Sequence, residues 1–206
     1  MDTTSADGSA PRRPNARGQG ERLRDEIIDA AVAMLEELAD DEALSLRAVA
    51  RAVSVSPTSV YLYFPDRDAL VLAVMQRCHQ EMLKTADEAQ AAGADPAAQL
   101  RAHILAQAAW AQDHPGLYKV MHESKVSRRP GMPFKEVLLA RTTAEVQRCM
   151  DAGLAPAGDA ATVALDLRVA VLGMLSLRIN EPALPWPPLA EQTERFLTKL
   201  VGLPAN

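Results

Sequence analysis

Hydrophobic residues recur at helical intervals along most of the chain, with polar residues between them. From about Glu21, one apolar face repeats every 3.6 residues or so and comprises Ile27, Ile28, Ala31, Leu35 and Leu38. This pattern predicts a first helix that ends in the acidic stretch 39–42. The sequence shows no strand-like alternation of useful length and no internal repeat.

Two short helices are predicted next. Ser45 is a good N-cap for a second helix, whose apolar stripe is Leu46, Val49, Ala50 and Val53. After a four-residue turn, Ser56 can cap a third helix that has proline at its first position, where a missing N–H costs nothing. Val60 and Phe64 are four residues apart and can both face inward. Pro65 ends this helix, because the residue before a proline is pushed out of helical geometry.

The remainder of the chain also predicts helices. Asp66 can cap a long fourth helix, whose buried faces hold Leu70, Val71, Val74, Met75, Cys78, Met82 and Leu83. Proline and glycine breaks then separate helices at roughly 96–113, 115–123, 132–152, 159–180 and 189–202. The prediction is an all-α protein of about nine helices.

Composition narrows the class of protein. The chain has 206 residues, 48% of them apolar and 24% charged, which is typical of a soluble globular protein. We find no run near the ~20 apolar residues of a membrane helix and no signal peptide, so we expect a cytoplasmic protein with no membrane partner. Cys78 and Cys149 form no metal or redox pattern and are expected to be buried thiols. The net charge of −5 is not that of a basic nucleic-acid binder, although Arg12, Arg13, Arg17, Arg22 and Arg24 cluster early.

A long first helix followed by two short helices around a tight turn is the plan of a helix-turn-helix domain, whose second short helix enters the DNA major groove. The stretch 46–70 resembles the DNA-binding domain of the TetR family without gaps, and the resemblance extends over about 21–75. It departs in two places: Ser54 replaces the usual turn glycine, and Val60 replaces the usual leucine. Ser54 would adopt a left-handed backbone at a cost of about 1 kcal/mol relative to glycine.

The resemblance implies an organisation of the whole chain. Residues 19–67 would be a helix-turn-helix domain and residues 68–206 a helical domain for ligand binding and dimerisation. Residues 1–18 are rich in Ser, Pro, Arg and Gly, and this composition by itself predicts a disordered arm. The resemblance also implies DNA contacts for Arg47, Ser56, Pro57, Thr58, Ser59, Tyr61, Leu62, Tyr63 and Arg67. Of these, Thr58 and Ser59 would meet bases, and Tyr61, Tyr63 and Arg67 would meet phosphates. Arg47 is the best candidate for reading a guanine, and the early arginines could neutralise phosphates.

In the family, the last two helices form a homodimer, which doubles the contact over a palindromic operator of double-stranded DNA. The segment 110–121 is similar to one class of TetR C-terminal domain, with His114-Pro115 ending a helix. An unidentified small-molecule effector is expected in an apolar pocket. The candidate lining residues are Trp110, Tyr118, Met121, His122, Phe134, Arg141 and Met174.

The sequence therefore predicts a transcriptional repressor that a small molecule releases from DNA. Two alternatives stay open: a DNA-binding dimer without a ligand, which a collapsed and dry core would favour, and a helical ligand-binding protein without DNA binding. We expect no enzyme, since no catalytic motif occurs. We also expect no cofactor and no metal site, because the four histidines show no metal-ligand spacing.

Overall fold

A computed structural model describes residues 19–129 and 132–205. All regular structure in these ranges is helical, which confirms the predicted all-α fold. The helices are α1 (Gln19–Leu38), α2 (Leu46–Ala52), α3 (Pro57–Tyr61), α4 (Arg67–Ala91), α5 (Pro96–Asp113), α6 (Pro115–Glu123), α7 (Pro133–Asp151), α8 (Ala160–Asn180) and α9 (Leu189–Phe196). A 3₁₀ turn at Val126–Arg128 follows α6, and a π-helical turn at Leu197–Val201 extends α9. The predicted arm, with Arg12, Arg13 and Arg17, lies outside the described residues.

Side-chain caps begin several helices as predicted. Asp66 accepts a hydrogen bond from the Ala69 N–H at 2.8 Å, and Ser56 accepts one from the Ser59 N–H at 3.2 Å. Ser45 is a correction: it occupies the N-cap position of α2 but makes no side-chain cap hydrogen bond. Leu38 is a second correction, because α1 ends there and leaves its side chain 44% exposed.

The first three helices pack together on one part of a hydrophobic core that continues through the whole described structure. The buried face of α1 packs on α2 and α4, and α2 packs on α3. This part of the core includes Ile27, Ile28, Leu35, Val49, Val60, Phe64 and Leu70. Because α4 begins beside these helices and continues for 25 residues, it belongs to both halves of the molecule.

The second half is a bundle in which α4 packs on α5, and α7 packs on α8. Helix α5 lies at the centre and also contacts α7, α8 and α9. Cys78 on α4 and Cys149 on α7 are buried free thiols, as predicted. Burial raises the pKa of Cys78 from 9.0 to about 12, so its thiolate, the reactive form, is suppressed at neutral pH.

The two halves meet where α6 packs on α1. The Glu36 carboxylate of α1 accepts hydrogen bonds from the Gly116 N–H at 3.0 Å and the Leu117 N–H at 3.3 Å, at the N-terminus of α6. A negative charge at this end of a helix is stabilised by the helix dipole. A Cβ on Gly116 would lie 2.0 Å from the Glu36 carbonyl oxygen, so only glycine fits at this crossing.

Candidate nucleic-acid interface and internal cavity

Helix α3 is held by two buried residues and a strained turn. Val60 and Phe64 are buried in the core, as their spacing predicts. Ser54, in the turn before α3, has a φ of +56°, the left-handed conformation that glycine adopts without strain. The turn and the Ser56 cap therefore fix how α3 is presented to solvent.

The outward face of α3 combines hydroxyl and apolar groups and carries no charge. Pro57, Thr58, Tyr61 and Leu62 are exposed, and Leu62 is exposed to 80%. Ser59 is half-buried, and its Oγ lies 2.9 Å from the Oγ of Ser56. Tyr63 is also half-buried and lies close to Gly20 at the start of α1. Such a face can contact base edges and thymine methyl groups.

Arg47, Tyr61 and Arg67 line one groove between α2 and the turn that leads into α4. Arg47 is exposed and makes no hydrogen bond or ion pair within the described part of the chain. Arg67 is occupied: it donates to the Glu42 carbonyl oxygen at 3.2 Å and pairs with Asp68 at 3.2 Å. The guanidinium of Arg47 could bind a phosphate without losing another contact, whereas a phosphate at Arg67 would compete with Asp68.

The early arginines that the structure describes are both engaged. Arg22 pairs with Glu26 at 2.9 Å across one turn of α1. The guanidinium of Arg24 lies 5.4 Å from the centroid of the Phe64 ring, which is a cation–π distance. The contact of Arg24 with Phe64 therefore connects α1 to the residues that follow α3.

A small, partly open cavity of about 30 Å³ lies between α5, α7 and α8. Its lining is mainly aliphatic, with three polar side chains, and consists of Ile104, Gln107, Leu138, Thr142, Leu167, Arg168, Val171 and Leu172. This volume is enough for about one water molecule and far below the several hundred Å³ of an ordinary ligand pocket.

None of the seven residues predicted to line a pocket borders this cavity. Trp110, Tyr118, Met121 and Met174 are buried in the core, and Tyr118 donates to the Leu172 carbonyl oxygen at 3.1 Å, one layer from the cavity. The rings of Tyr118 and His122 lie 4.5 Å apart. Phe134 packs instead on His79 beside an outer groove.

Arg141, another of the predicted residues, belongs to a polar network that the sequence did not indicate. It pairs with Asp87 at 2.5 Å and with Glu145 at 3.1 Å. Glu145 also bonds the ring of His103, and both side chains are almost fully buried. The network joins α4, α5 and α7. Because its polar groups form hydrogen bonds and ion pairs with one another, we infer that it stabilises the packing of these helices.

The positive charge of Arg168 on α8 affects the titration of two histidines. Burial lowers the pKa of this guanidinium. Burial, and then the positive charge of Arg168, lower the pKa of His79 from 6.5 to about 4. The same two causes, with the added charges of Lys135 and His79, lower the pKa of His122 from 6.5 to about 4. Both histidines are therefore neutral at pH 7, and both can donate one N–H.

Helix α8 leaves an apolar row on the surface. Leu165, Val169, Gly173 and Leu177 are spaced four residues apart, and all are exposed. Val169 is exposed to 64%, and a Cβ on Gly173 would meet nothing within 4 Å. By length and composition α8 could also cross a membrane, which corrects the expectation that no run approaches that size. Its other face is buried in the bundle, as in a core helix.

Within 19–129 and 132–205, no group of three or more His, Cys, Asp or Glu residues could hold a metal ion.

Two family profiles match the sequence. The profile of bacterial regulatory proteins of the tetR family matches residues 27–74, which include α2 and α3. The profile of the tetracyclin repressor-like C-terminal domain matches residues 100–202, half of the chain. No curated protein matches the sequence.

Solved structures resemble the fold over nearly its whole length. A protein of unknown function from Rhodococcus sp. RHA1 is 25% identical, with a TM-score of 0.75 over 92% of this chain and 100% of its own. The regulatory protein SCO4313 is 26% identical, with a TM-score of 0.69 over 94% and 100%. SmeT, the repressor of the Stenotrophomonas maltophilia multidrug efflux pump SmeDEF, is 21% identical, with a TM-score of 0.67 over 87% and 88%.

Proposed function

This chain belongs to the TetR family of bacterial regulatory proteins, and from that membership we propose that it is a cytoplasmic repressor which a small-molecule effector releases from a palindromic operator. The observation that carries the proposal is the face of α3. A helix of five residues exposes Thr58, Tyr61 and Leu62 without a charge, on a base fixed by Val60 and Phe64. A short, uncharged helix face of hydroxyl and apolar groups can fit into a DNA major groove and contact the base edges there.

The roles of individual residues follow from their positions. Arg47 would read a guanine or bind a phosphate, because its side chain is exposed and has no partner in the described ranges. Thr58 would contact a base edge, with Ser59, Ser56, Pro57 and Leu62 beside it. Tyr61, Tyr63 and Arg67 would bind phosphates and so set the register of the helix on DNA.

We further propose that the protein acts as a homodimer through α8 and α9. The exposed row of α8 provides an apolar surface, and Gly173 lets a partner helix approach closely. Two-fold symmetry would place two α3 helices one turn of DNA apart. Val169→Asp should convert the dimer to a monomer and weaken operator binding, as measured by analytical ultracentrifugation and anisotropy. A dimer that persists with unchanged affinity would place the interface elsewhere.

The proposed effector site lies in the bundle of α4 to α8. SmeT has also been solved as a complex with triclosan, which shows that a relative of this fold binds a small molecule. Helix α4 runs from the edge of the DNA-reading unit into the bundle, so a ligand that prefers one position of α4 would shift the operator affinity.

One observation favours a second candidate, a DNA-binding dimer without an effector. The cavity between α5, α7 and α8, of about 30 Å³, has room for about one water molecule. An effector must therefore bind to a more open arrangement of α5, α7 and α8. If no compound changes operator affinity or thermal stability, the second candidate is the better description.

The first experiment is a fluorescence-anisotropy titration of the full chain against the DNA upstream of its own gene, at two salt concentrations. Tight, salt-sensitive binding that survives competitor DNA would support the proposal. If the upstream DNA is bound no more tightly than random DNA, the operator should be sought by genome-wide capture. Failure to capture any specific site would refute operator recognition.

A pair of variants separates DNA reading from net charge. Arg47→Ala should weaken operator binding by about 1–3 kcal/mol and reduce specificity at one base position. Arg148→Ala removes the same charge from an exposed position of α7, on the other half of the protein, and should leave binding unchanged. Equal effects of the two changes would mean that only overall charge matters.

A further inference from the structure

Arg168 is a half-buried cation on the wall of the cavity, and it makes no hydrogen bond or ion pair within the described ranges. Other part-buried arginines of the bundle have acceptors: Arg141 binds Asp87 and Glu145, Arg101 binds Glu194, and Arg178 donates to the Pro187 carbonyl oxygen and Gln192 Oε1. Removing a charge from water without a partner is costly. A residue with a purely structural role would be expected to have an oxygen acceptor beside it, as those three arginines do.

A second unsatisfied group lies near Arg168. His79 of α4 is 4% exposed, and its Nε2 makes no hydrogen bond within the residues described. The His79 ring packs on Phe134, one turn of α7 before the cavity residue Leu138. The His122 ring of α6 lies 4.5 Å from the ring of Tyr118, whose hydroxyl donates to the carbonyl oxygen of Leu172 in the cavity lining. The charge of Arg168 lowers the pKa of both imidazoles. Lys135 of α7 is influenced by the same charge and donates to the Ser127 carbonyl oxygen at 2.5 Å.

The acids of this region are already engaged. Glu145 is shared by His103, Arg141 and Gln90. Glu123 lies closer to the end of α8, where its Oε1 is 3.4 Å from Ser176 Oγ and Asn180 Nδ2. Within the described ranges, Arg168 thus lines the cavity without a carboxylate of its own, and the buried Nε2 of His79 has no hydrogen-bond partner. A bound anion would supply the partner that Arg168 lacks.

We propose that the effector is an organic acid whose carboxylate binds Arg168 and His79 and whose aliphatic body fills an opened form of the cavity between Ile104, Leu138 and Leu167. This inference rests on the proposed function, because it names the chemical class of the effector. A guanidinium binds a carboxylate with two parallel hydrogen bonds. The unpaired Nε2 of His79 gains a partner in the same step if it carries the proton. The aliphatic lining selects against a small inorganic anion.

The position of these residues also explains how binding would reach the DNA. His79 lies on α4, which begins next to the α3 segment, and His122 lies on α6, whose first turn is held by Glu36 of α1. A carboxylate that draws Arg168, His79 and His122 together would therefore move the two helices that support the DNA-reading unit. Its effect depends on a tighter fit to the released state than to the DNA-bound state.

The test uses octanoate, with octanol and octylamine as matched probes of equal chain length. Isothermal titration calorimetry on the full-length protein should show binding of octanoate and at least about tenfold weaker binding of both probes. Octyl phosphate distinguishes a site for any organic anion from a site for a carboxylate. Equal affinity for octanoate and octanol would overturn the proposal, and so would octanoate binding that Arg168→Gln leaves unchanged.

Variants assign the binding to the cluster. Arg168→Gln should weaken octanoate binding about 10–100-fold, as expected for loss of a charged hydrogen-bonded partner, and Arg148→Gln on the surface of α7 should not. If Arg168→Gln fails to fold, Arg168→Lys keeps the charge and should retain part of the affinity. As an independent measurement, octanoate should shift the NMR resonances of His79 and His122 and leave those of His114 in place.

The two hypotheses can fail separately. Octanoate binding is measured without DNA, so it can be positive even if no operator is found. If the operator is bound but organic acids of four to fourteen carbons neither bind nor release it, the anionic class of the effector is wrong and the repressor stands.

Discussion

The contact between Gly116 and Glu36 gives the sharpest prediction about how the two halves are joined. In Gly116→Ala, the new Cβ would lie 2.0 Å from the Glu36 carbonyl oxygen and 2.7 Å from its carbon. An ordinary contact between these atoms is more than 3 Å, so α6 must move from α1 by more than about 1 Å. Backbone lies on both sides of the clash, and no side-chain rotation relieves it.

The cost can be worked from this displacement. Overpacking of a close contact costs about 1–3 kcal/mol, and the movement also weakens the two hydrogen bonds from α6 to the Glu36 carboxylate. A net loss of about 2–4 kcal/mol is expected, which lowers Tm by roughly 4–16 °C for a chain of this length. Glu36→Gln keeps the shape but removes the charge at the helix N-terminus, and should cost about 1 kcal/mol.

Thermal denaturation followed by circular dichroism measures this effect, and Gly158→Ala is the matched control. A Cβ on Gly158 meets only Met150 Cε, at 3.9 Å, so the same chemical change should be nearly neutral. Operator affinity of Gly116→Ala should be measured well below its Tm. If Gly116→Ala and Gly158→Ala have the same Tm, α6 can shift on α1 at little cost, and the reasoning about a fixed junction is refuted.

Three further predictions concern the turn, the buried network and acid stability. Ser54→Gly should raise the free energy of unfolding by about 0.5–1 kcal/mol in urea titrations, because Ser54 has a φ of +56°; a loss would mean that its side chain stabilises the turn. Glu145→Gln should destabilise the protein by about 3–5 kcal/mol, since it breaks a buried pair with His103, and a cost below 1 kcal/mol would contradict that role. The pKa values of His79 and His122 fall from 6.5 in the unfolded chain to about 4 in the folded protein, so stability should be complete above pH 6.5 and should decline as the pH falls to 4. His122→Gln should flatten that decline in urea titrations across this range, and an unchanged slope would place the acid sensitivity elsewhere.

The helices were predictable because their boundaries depend on neighbouring residues. Proline at the first position and a preceding aspartate specify the start of α5, and its observed range, Pro96–Asp113, agrees with the pattern. The two local errors have the same origin. Whether Ser45 turns its hydroxyl to the helix, and whether Leu38 is covered, depends on contacts that residues nearby in sequence do not determine.

The two candidate sites differ in the same way. The proposed DNA-reading face lies on and next to one short helix, so its residues share a surface because they are close in sequence. The cavity is assembled from α5, α7 and α8, and the residues around it are brought together by packing over distances of tens of residues. One signal could have singled out Arg168: a cation in the middle of α8, a helix apolar enough to cross a membrane, must either reach solvent or meet an anion.

The contacts between the halves show which path can carry a signal. Lys125 pairs with Glu42, and Arg129 pairs with Asp68, but three of these four side chains are about half exposed or more. Such pairs contribute about 0–1 kcal/mol each and are screened by salt. Glu36 instead binds two backbone amides where glycine allows the helices to touch. Coupling that runs through α6 should therefore persist at 0.5 M salt (on the order of a 4 Å screening length). Coupling that disappears there, with operator affinity corrected for its own salt dependence, would assign the signal to the surface ion pairs.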